Sequence, residues 1–138
     1  MFVNKEQLFI AFDSIAWEDK GGGIRRKVMT YGDQLMGVYV EFLRGSVGAR
    51  HSHPHVQFTY IKAGTFRVHI GDKHQVLKAG DFYYIPSGLI HGAEALEDGV
   101  LLDVFSPMRE DFLPASRVER VDPNTLPGKN ALGSTRST

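Results

Sequence analysis

Three imidazoles and an amide fall within the stretch His51-Ser52-His53-Pro54-His55-Val56-Gln57. In an extended chain alternate side chains share a face, so His51 and His53 can reach one point from a single strand. Neutral imidazole nitrogen is the commonest protein ligand for mid to late first-row divalent metals, and an amide oxygen can complete part of a shell. The same stretch also fits a solvated, histidine-rich turn with no ion. A bare His-x-His does not decide between the two.

The elements that would position these side chains read as short strands. Phe2 to Phe12 mixes apolar and polar residues and fits an edge strand or a short docked arm. Gly21-Gly22-Gly23 breaks the chain; Ile24 to Tyr31 is a strand that turns at Gly32-Asp33 into a second, Leu35 to Leu43. In that second strand Met36, Val38, Val40 and Phe42 share one face, which is core, and Tyr39 and Glu41 the other. After the turn at 45–48 and the histidine stretch, Phe58 to Ile61 is strand-like, and Phe66, Val68 and Ile70 alternate with Thr65, Arg67 and His69. Gly71-Asp72 makes a hairpin turn into Gln75 to Leu77, and Ala79-Gly80-Asp81 leads into the aromatic strand Phe82-Tyr83-Tyr84-Ile85. Two further strands, Ile90 to Leu96 and Val100 to Phe105, flank Glu97-Asp98-Gly99. Regular short strands, Gly-rich turns and no helical period predict an all-β sandwich or barrel.

Composition limits the function classes. The chain has 138 residues, enough for one domain with a real core. Its 16 Lys plus Arg balance 16 Asp plus Glu, so no overall field recruits nucleic acid or an anionic membrane. With no cysteine there are no disulfides, thiolate ligands or thiol catalysis. That suits a cytoplasmic protein, and a cysteine-free periplasmic one equally. The start Met1-Phe2-Val3-Asn4-Lys5-Glu6 lacks a basic region followed by an apolar run, and no stretch reaches transmembrane length, so the expected location is the cytoplasm.

Turn residues and histidines fall into two spaced sets: Gly45, His51, His53, Gln57 and Gly64, then Gly80, Pro86, Gly88 and His91. This resembles both motifs of the cupin superfamily. The resemblance implies a single-domain cupin, a conical β-barrel of two antiparallel sheets (a double-stranded β-helix or jelly roll). It also implies one divalent transition metal ion (Ni, Zn, Mn, Fe or Co) held inside by His51, His53, Gln57 and His91. The family usually has Glu where this chain has Gln57, and some cupins hold no metal. Gln keeps a coordinating carbonyl oxygen, but a neutral amide leaves the divalent charge uncompensated, which favours an anionic ligand. It also counts against oxygen chemistry on Fe(II), where a carboxylate commonly helps support oxidised states.

The other histidines read differently. His55 follows Pro54, which restricts the backbone, and is expected outside the shell or exposed. His69 and His74 are expected at the surface.

Asp103 is an acid among Leu102, Val104 and Phe105, an unusual choice for a plain core strand. If 97–99 is a three-residue hairpin loop, Leu96 opposes Val100, Ala93 opposes Asp103 and His91 opposes Phe105. Asp103 and Phe105 then share the face of His91. A two-residue loop inverts this.

Trp17-Glu18, Gly23-Ile24-Arg25-Arg26-Lys27, Tyr31-Gly32-Asp33, the histidine stretch with Gln57, and Leu101-Leu102-Asp103-Val104-Phe105 leading to Arg109-Glu110-Asp111-Phe112-Leu113 together resemble the KdgF family of pectin degradation proteins. The family has Glu before the Gln where this chain has Val56. The resemblance implies metal-dependent ring opening and ketonisation of 4,5-unsaturated uronates, the monosaccharides left by pectate and alginate lyases, to a linear 5-keto-4-deoxyuronate. Asp103 is then the residue that relays protons, Arg109 a two-pronged donor to substrate carboxylate or hydroxyls, and Phe105 a flat wall for the ring. Arg109 also fits a plain ion pair with Glu110 or Asp111. The expected partner is the small-molecule uronate, with neither nucleic acid nor membrane, and the expected assembly a homodimer. The alternatives are another sugar-acid isomerase or epimerase, or a uronate sensor without turnover.

After Pro114 the composition shifts to Ser, Thr, Arg, Pro, Gly and Asn. The expected organisation is a cupin domain with an N-terminal arm over 1–114 and a tail over 115–138.

Overall fold

The computed structural model describes residues 8–114. Ten strands form: β1 (Glu18–Gly21), β2 (Ile24–Gly32), β3 (Leu35–Phe42), β4 (Val47–His51), β5 (Val56–Ala63), β6 (Thr65–Ile70), β7 (Lys73–Lys78), β8 (Phe82–Ile85), β9 (His91–Ala95) and β10 (Gly99–Ser106). They make two antiparallel sheets, ordered β1-β2-β3-β10-β5-β8 and β4-β9-β6-β7, in a jelly-roll arrangement. Among the described residues no helix is long and apolar enough to cross a membrane.

Period-two alternation explains the core. Met36, Val38, Val40 and Phe42 of β3 are all buried, as are Ile61 of β5, Phe66 and Val68 of β6, and Leu101 and Phe105 of β10. The inner faces meet through Phe42 and Phe66, whose rings pack edge to face at 5.2 Å. Gly64 shows why turn glycines matter. It sits at φ +84°, and a Cβ there would lie 2.5 Å from the carbonyl oxygen of Asp98, so only glycine lets β5 turn into β6 beneath the 96–98 segment.

Two expectations are corrected. The first concerns Gly21–Gly23. This segment does more than break the chain, because it turns β1 onto β2 with Asp19 opposite Arg25.

The second concerns 97–99, which is not a hairpin loop. β9 lies between β4 and β6, whereas β10 lies between β3 and β5, so Leu96 does not oppose Val100, nor Ala93 Asp103, nor His91 Phe105. The segment instead crosses from one sheet to the other. It is tied down by Leu96 N–H donating to Thr65 O at 2.8 Å and Arg44 N–H donating to Asp98 Oδ1 at 2.7 Å. Apolar residues on both strands are buried best when the two strands face each other across the core. His91 and Asp103 therefore share the interior as members of opposed sheets, not as neighbours in one.

The segment before β1 docks through Phe12, while Leu8 and Phe9 stand exposed. A short 3-10 turn at Phe12–Ser14 brings the Phe12 ring against Tyr39 and Trp17. The buried Lys27 ammonium donates to the Phe12 carbonyl at 2.8 Å. The expected tail, 115–138, lies outside the described residues.

Candidate metal centre

His51 ends β4 and His91 opens β9, and the two are directly opposed across that strand pair. His53 follows β4, and Gln57 lies on β5 facing inward. Ring centroids stand 4.5 Å apart for His51 and His91, 4.8 Å for His53 and His91, and 5.5 Å for His51 and His53. One nitrogen from each ring lies within 4.8 Å of the others. β4, the loop that continues it, and β9 thus aim three imidazoles at one point.

Their tautomers follow from the backbone. Nδ1 of His51 donates to Ala49 O at 2.9 Å, Nδ1 of His53 to His55 O at 3.0 Å, and Nδ1 of His91 to Leu89 O at 2.9 Å. A carbonyl can only accept, so each neutral ring carries its proton on Nδ1 and offers the Nε2 lone pair. Nε2 of His91 is buried and has no hydrogen-bond partner.

The Gln57 amide lies beside these imidazoles and could offer a fourth donor atom. Nε2 of Gln57 donates to Thr59 Oγ1 at 2.9 Å and more weakly to Asp103 Oδ1 at 3.4 Å. The carboxylate can only accept, so the NH₂ end faces Asp103 and Oε1 faces Nε2 of His53 at 3.1 Å. Two lone pairs set that close together, beside the buried lone pair of His91, suit a cation. Three imidazole nitrogens and one amide oxygen are a donor set that fits a divalent transition metal.

Protonation states agree with this. Burial, and then neighbouring His51, His53 and Arg109, push His91 down to about 4 against a backbone hydrogen bond that raises it. Burial and then Arg109 lower His53 as well. Both lone pairs are therefore available at neutral pH. Asp103 goes the other way: burial raises it to about 6, opposed first by the hydrogen bond from Thr59 and then by Arg109. Its carboxylate accepts from Thr59 Oγ1 at 2.7 Å.

The cavity beside these groups is about 130 Å³ and is lined by His51, Gln57, Tyr83, His91, Asp103 and Phe112 among others. His51 is exposed, so the donor set meets solvent on its side. The structure therefore brings His51, His53, Gln57, His91 and Asp103 together. Phe105 is 2% exposed and packs against His53 at 5.6 Å between ring centroids, against Phe112 and under Arg109, which corrects the expectation of an open wall for the substrate ring: neighbouring side chains already cover it. Arg109 is buried, lies over the rings of Phe112 and Phe105, and pairs with Asp111 through two hydrogen bonds.

His55 serves His53 through its carbonyl, and its ring packs edge-on against His53 at 5.5 Å between centroids without joining the three nitrogens that converge. His69 and His74 pair across β6 and β7, and Arg50 donates to His69. Sequence reading singles out neither Thr59 nor Tyr83. The available signal is parity, since Thr59 stands two residues after Gln57 and so shares its inward face.

Residues 38–105 match the model of the cupin domain. The pectin degradation protein KdgF of Dickeya dadantii is 46% identical over 103 residues, which cover 73% of this chain and 94% of that protein. The chain belongs to the KdgF family of cupins. Its solved relatives have the same fold: the structure of KdgF from Halomonas sp. superposes with a TM-score of 0.73 at 40% identity, over 76% of this chain and 99% of that one. An RmlC-like cupin from Shewanella frigidimarina superposes with a TM-score of 0.76 at 37% identity, over 78% and 97%. The match covers nearly the whole length of both KdgF relatives.

Proposed function

We propose that this protein opens and ketonises 4,5-unsaturated uronates as a metal-dependent enzyme of pectin and alginate breakdown in the cytoplasm. Its membership of the KdgF family, whose Dickeya relative is a pectin degradation protein, supports the pathway. The observation that carries the chemistry is the contact between Gln57 and Asp103, which sets a carboxyl beside the amide of a donor set that has no carboxylate of its own.

A bound divalent ion would supply electrophilic stabilisation for the substrate carboxylate and for the negative charge that develops as the ring opens. The steps belong to the side chains. Asp103, as carboxylate, takes the proton of the anomeric hydroxyl; C1 becomes a carbonyl, the bond from C1 to the ring oxygen breaks, and its electron pair leaves an enolate across C4, C5 and that oxygen. Asp103 then returns the proton to C4, giving a 5-keto-4-deoxyuronate with no net gain or loss of atoms. A carboxyl raised to about 6 is suited to both transfers near neutrality. Arg109, anchored by Asp111, turns its remaining N–H groups toward the substrate anion. Phe105 buttresses His53 and carries the guanidinium on its ring.

The test is turnover. Metal-quantified protein should remove the enol-ether ultraviolet absorbance of the unsaturated uronate faster than the spontaneous rate and yield the linear keto acid. Tight binding with no acceleration would instead identify a sensor of these acids.

A further inference from the structure

Thr59 is fully buried, at 0% exposure. Valine would fill the same volume, and a hydroxyl in such a place is costly unless it is bonded. Here the bonding is complete. Oγ1 accepts from Gln57 Nε2 at 2.9 Å and donates to Asp103 Oδ1 at 2.7 Å. The strand register sets this up, because Thr59 is directly opposite Asp103 on β10 and opposite Tyr83 on β8. The three side chains form one row across the sheet, and Gln57 is the next inward residue on β5.

We infer that Thr59 is a positioning residue that locks the Gln57 amide and the Asp103 carboxyl against each other. Its oxygen holds the NH₂ end of Gln57, so Oε1 stays turned toward the imidazoles and the terminal torsion cannot swing it away. Its proton holds Oδ1 of Asp103, so Oδ2 is the oxygen that exchanges protons with substrate. The carboxyl half of this inference rests on the ring-opening reaction proposed above. The amide half concerns only the donor set.

The experiment compares wild type, Thr59→Val, Thr59→Ser, Gln57→Ala and the Thr59→Val/Gln57→Ala double variant. Nickel(II) is titrated calorimetrically into each metal-stripped protein, and turnover is measured on the nickel-loaded forms after melting curves show them folded. Thr59→Val should weaken nickel binding on the order of 10–100-fold, the usual effect of removing a group that orients a ligand. It should also lower kcat with little change in KM. Thr59→Ser should restore both, and in the Gln57→Ala background Thr59→Val should add no further loss of affinity. Wild-type nickel affinity in Thr59→Val, or an equal loss in the Gln57→Ala background, would overturn the inference. Should Thr59→Val not fold, Thr59→Ala enters the same cycle. If wild type itself shows no turnover, the reaction fails, and the nickel titrations still decide the role of Thr59 toward Gln57.

Discussion

Arg109 is held by Asp111 through two parallel bonds, Nε to Oδ1 at 3.0 Å and Nη2 to Oδ2 at 2.8 Å. The guanidinium is buried while the carboxylate side chain is 62% exposed, so the pair fixes the arginine from its solvent side. The hydrogen bond from Arg109 in turn keeps the Asp111 carboxyl below its ordinary range. A guanidinium held on two hydrogen bonds has less freedom left to lose on binding a ligand.

Removing the arginine and loosening it should therefore differ. Arg109→Ala should raise KM and lower kcat, cutting kcat/KM on the order of 10–100-fold, about what a hydrogen bond to a charged group contributes. Asp111→Asn keeps the arginine and should mainly raise KM. Steady-state kinetics on both variants check this. An unchanged KM in Arg109→Ala would remove that residue from substrate binding.

Asp103→Asn preserves shape and removes the exchangeable proton. Turnover should fall by a factor on the order of 10²–10⁴ while metal content stays at the wild-type level. Elemental analysis alongside single-substrate kinetics reads both. Near-wild-type kcat in metal-loaded Asp103→Asn would assign the proton transfers elsewhere.

Gln57→Glu should retain the metal and lose activity by at least about tenfold, the equivalent of roughly one pKa unit of altered interaction. Two effects add. The new carboxylate compensates part of the metal charge that the substrate anion would otherwise meet. It also replaces an N–H donor that faces Asp103 at 3.4 Å with a like charge. Wild-type turnover in a variant with full metal content would show that amide neutrality is incidental.

Acid should destabilise the metal-free protein through its buried histidines. His91 is lowered from 6.5 to about 4 in the folded state, and His53 is lowered too. The unfolded chain therefore binds more protons over this range, and the stability these groups contribute is present above about pH 6.5 and drains away as pH falls toward about 4. For His91 alone the loss is on the order of 3 kcal/mol. Denaturant midpoints of chelator-treated wild type and His91→Gln, measured between pH 8 and 4, isolate it. Parallel curves for the two proteins would mean that His91 carries no such penalty.

Much of this architecture is legible locally. A strand of period two announces its own inward face, so Met36, Val38, Val40 and Phe42 declare the core, and Gly64 and Gly71 mark turns at positive φ. Of the histidines, His74 is exposed in β7 as its alternation suggests, whereas His53 meets His51 from the loop that follows β4 and not from a shared strand. The spacing of Gly, His, Gln and Pro carried the resemblance to cupins and with it the four donors, while Asp103 stood out as an acid among apolar strand residues. Arg109 read equally well as an ion pair with a neighbouring acid or as a substrate ligand, and its Asp111 partner was one of the two acids within reach.

Tertiary structure decided which strands are neighbours. Nothing within 91–105 states that β9 and β10 belong to opposite sheets, because a hairpin and a crossover can have the same local residues. The choice is made by burying Ala95 on one sheet and Leu101 and Phe105 on the other against a common core. The partners of Thr59 are likewise non-local, since Asp103 is 44 residues away in sequence and meets it only through the β5 and β10 register. Alternation tells a side chain which way to point; packing between distant segments decides what it meets there.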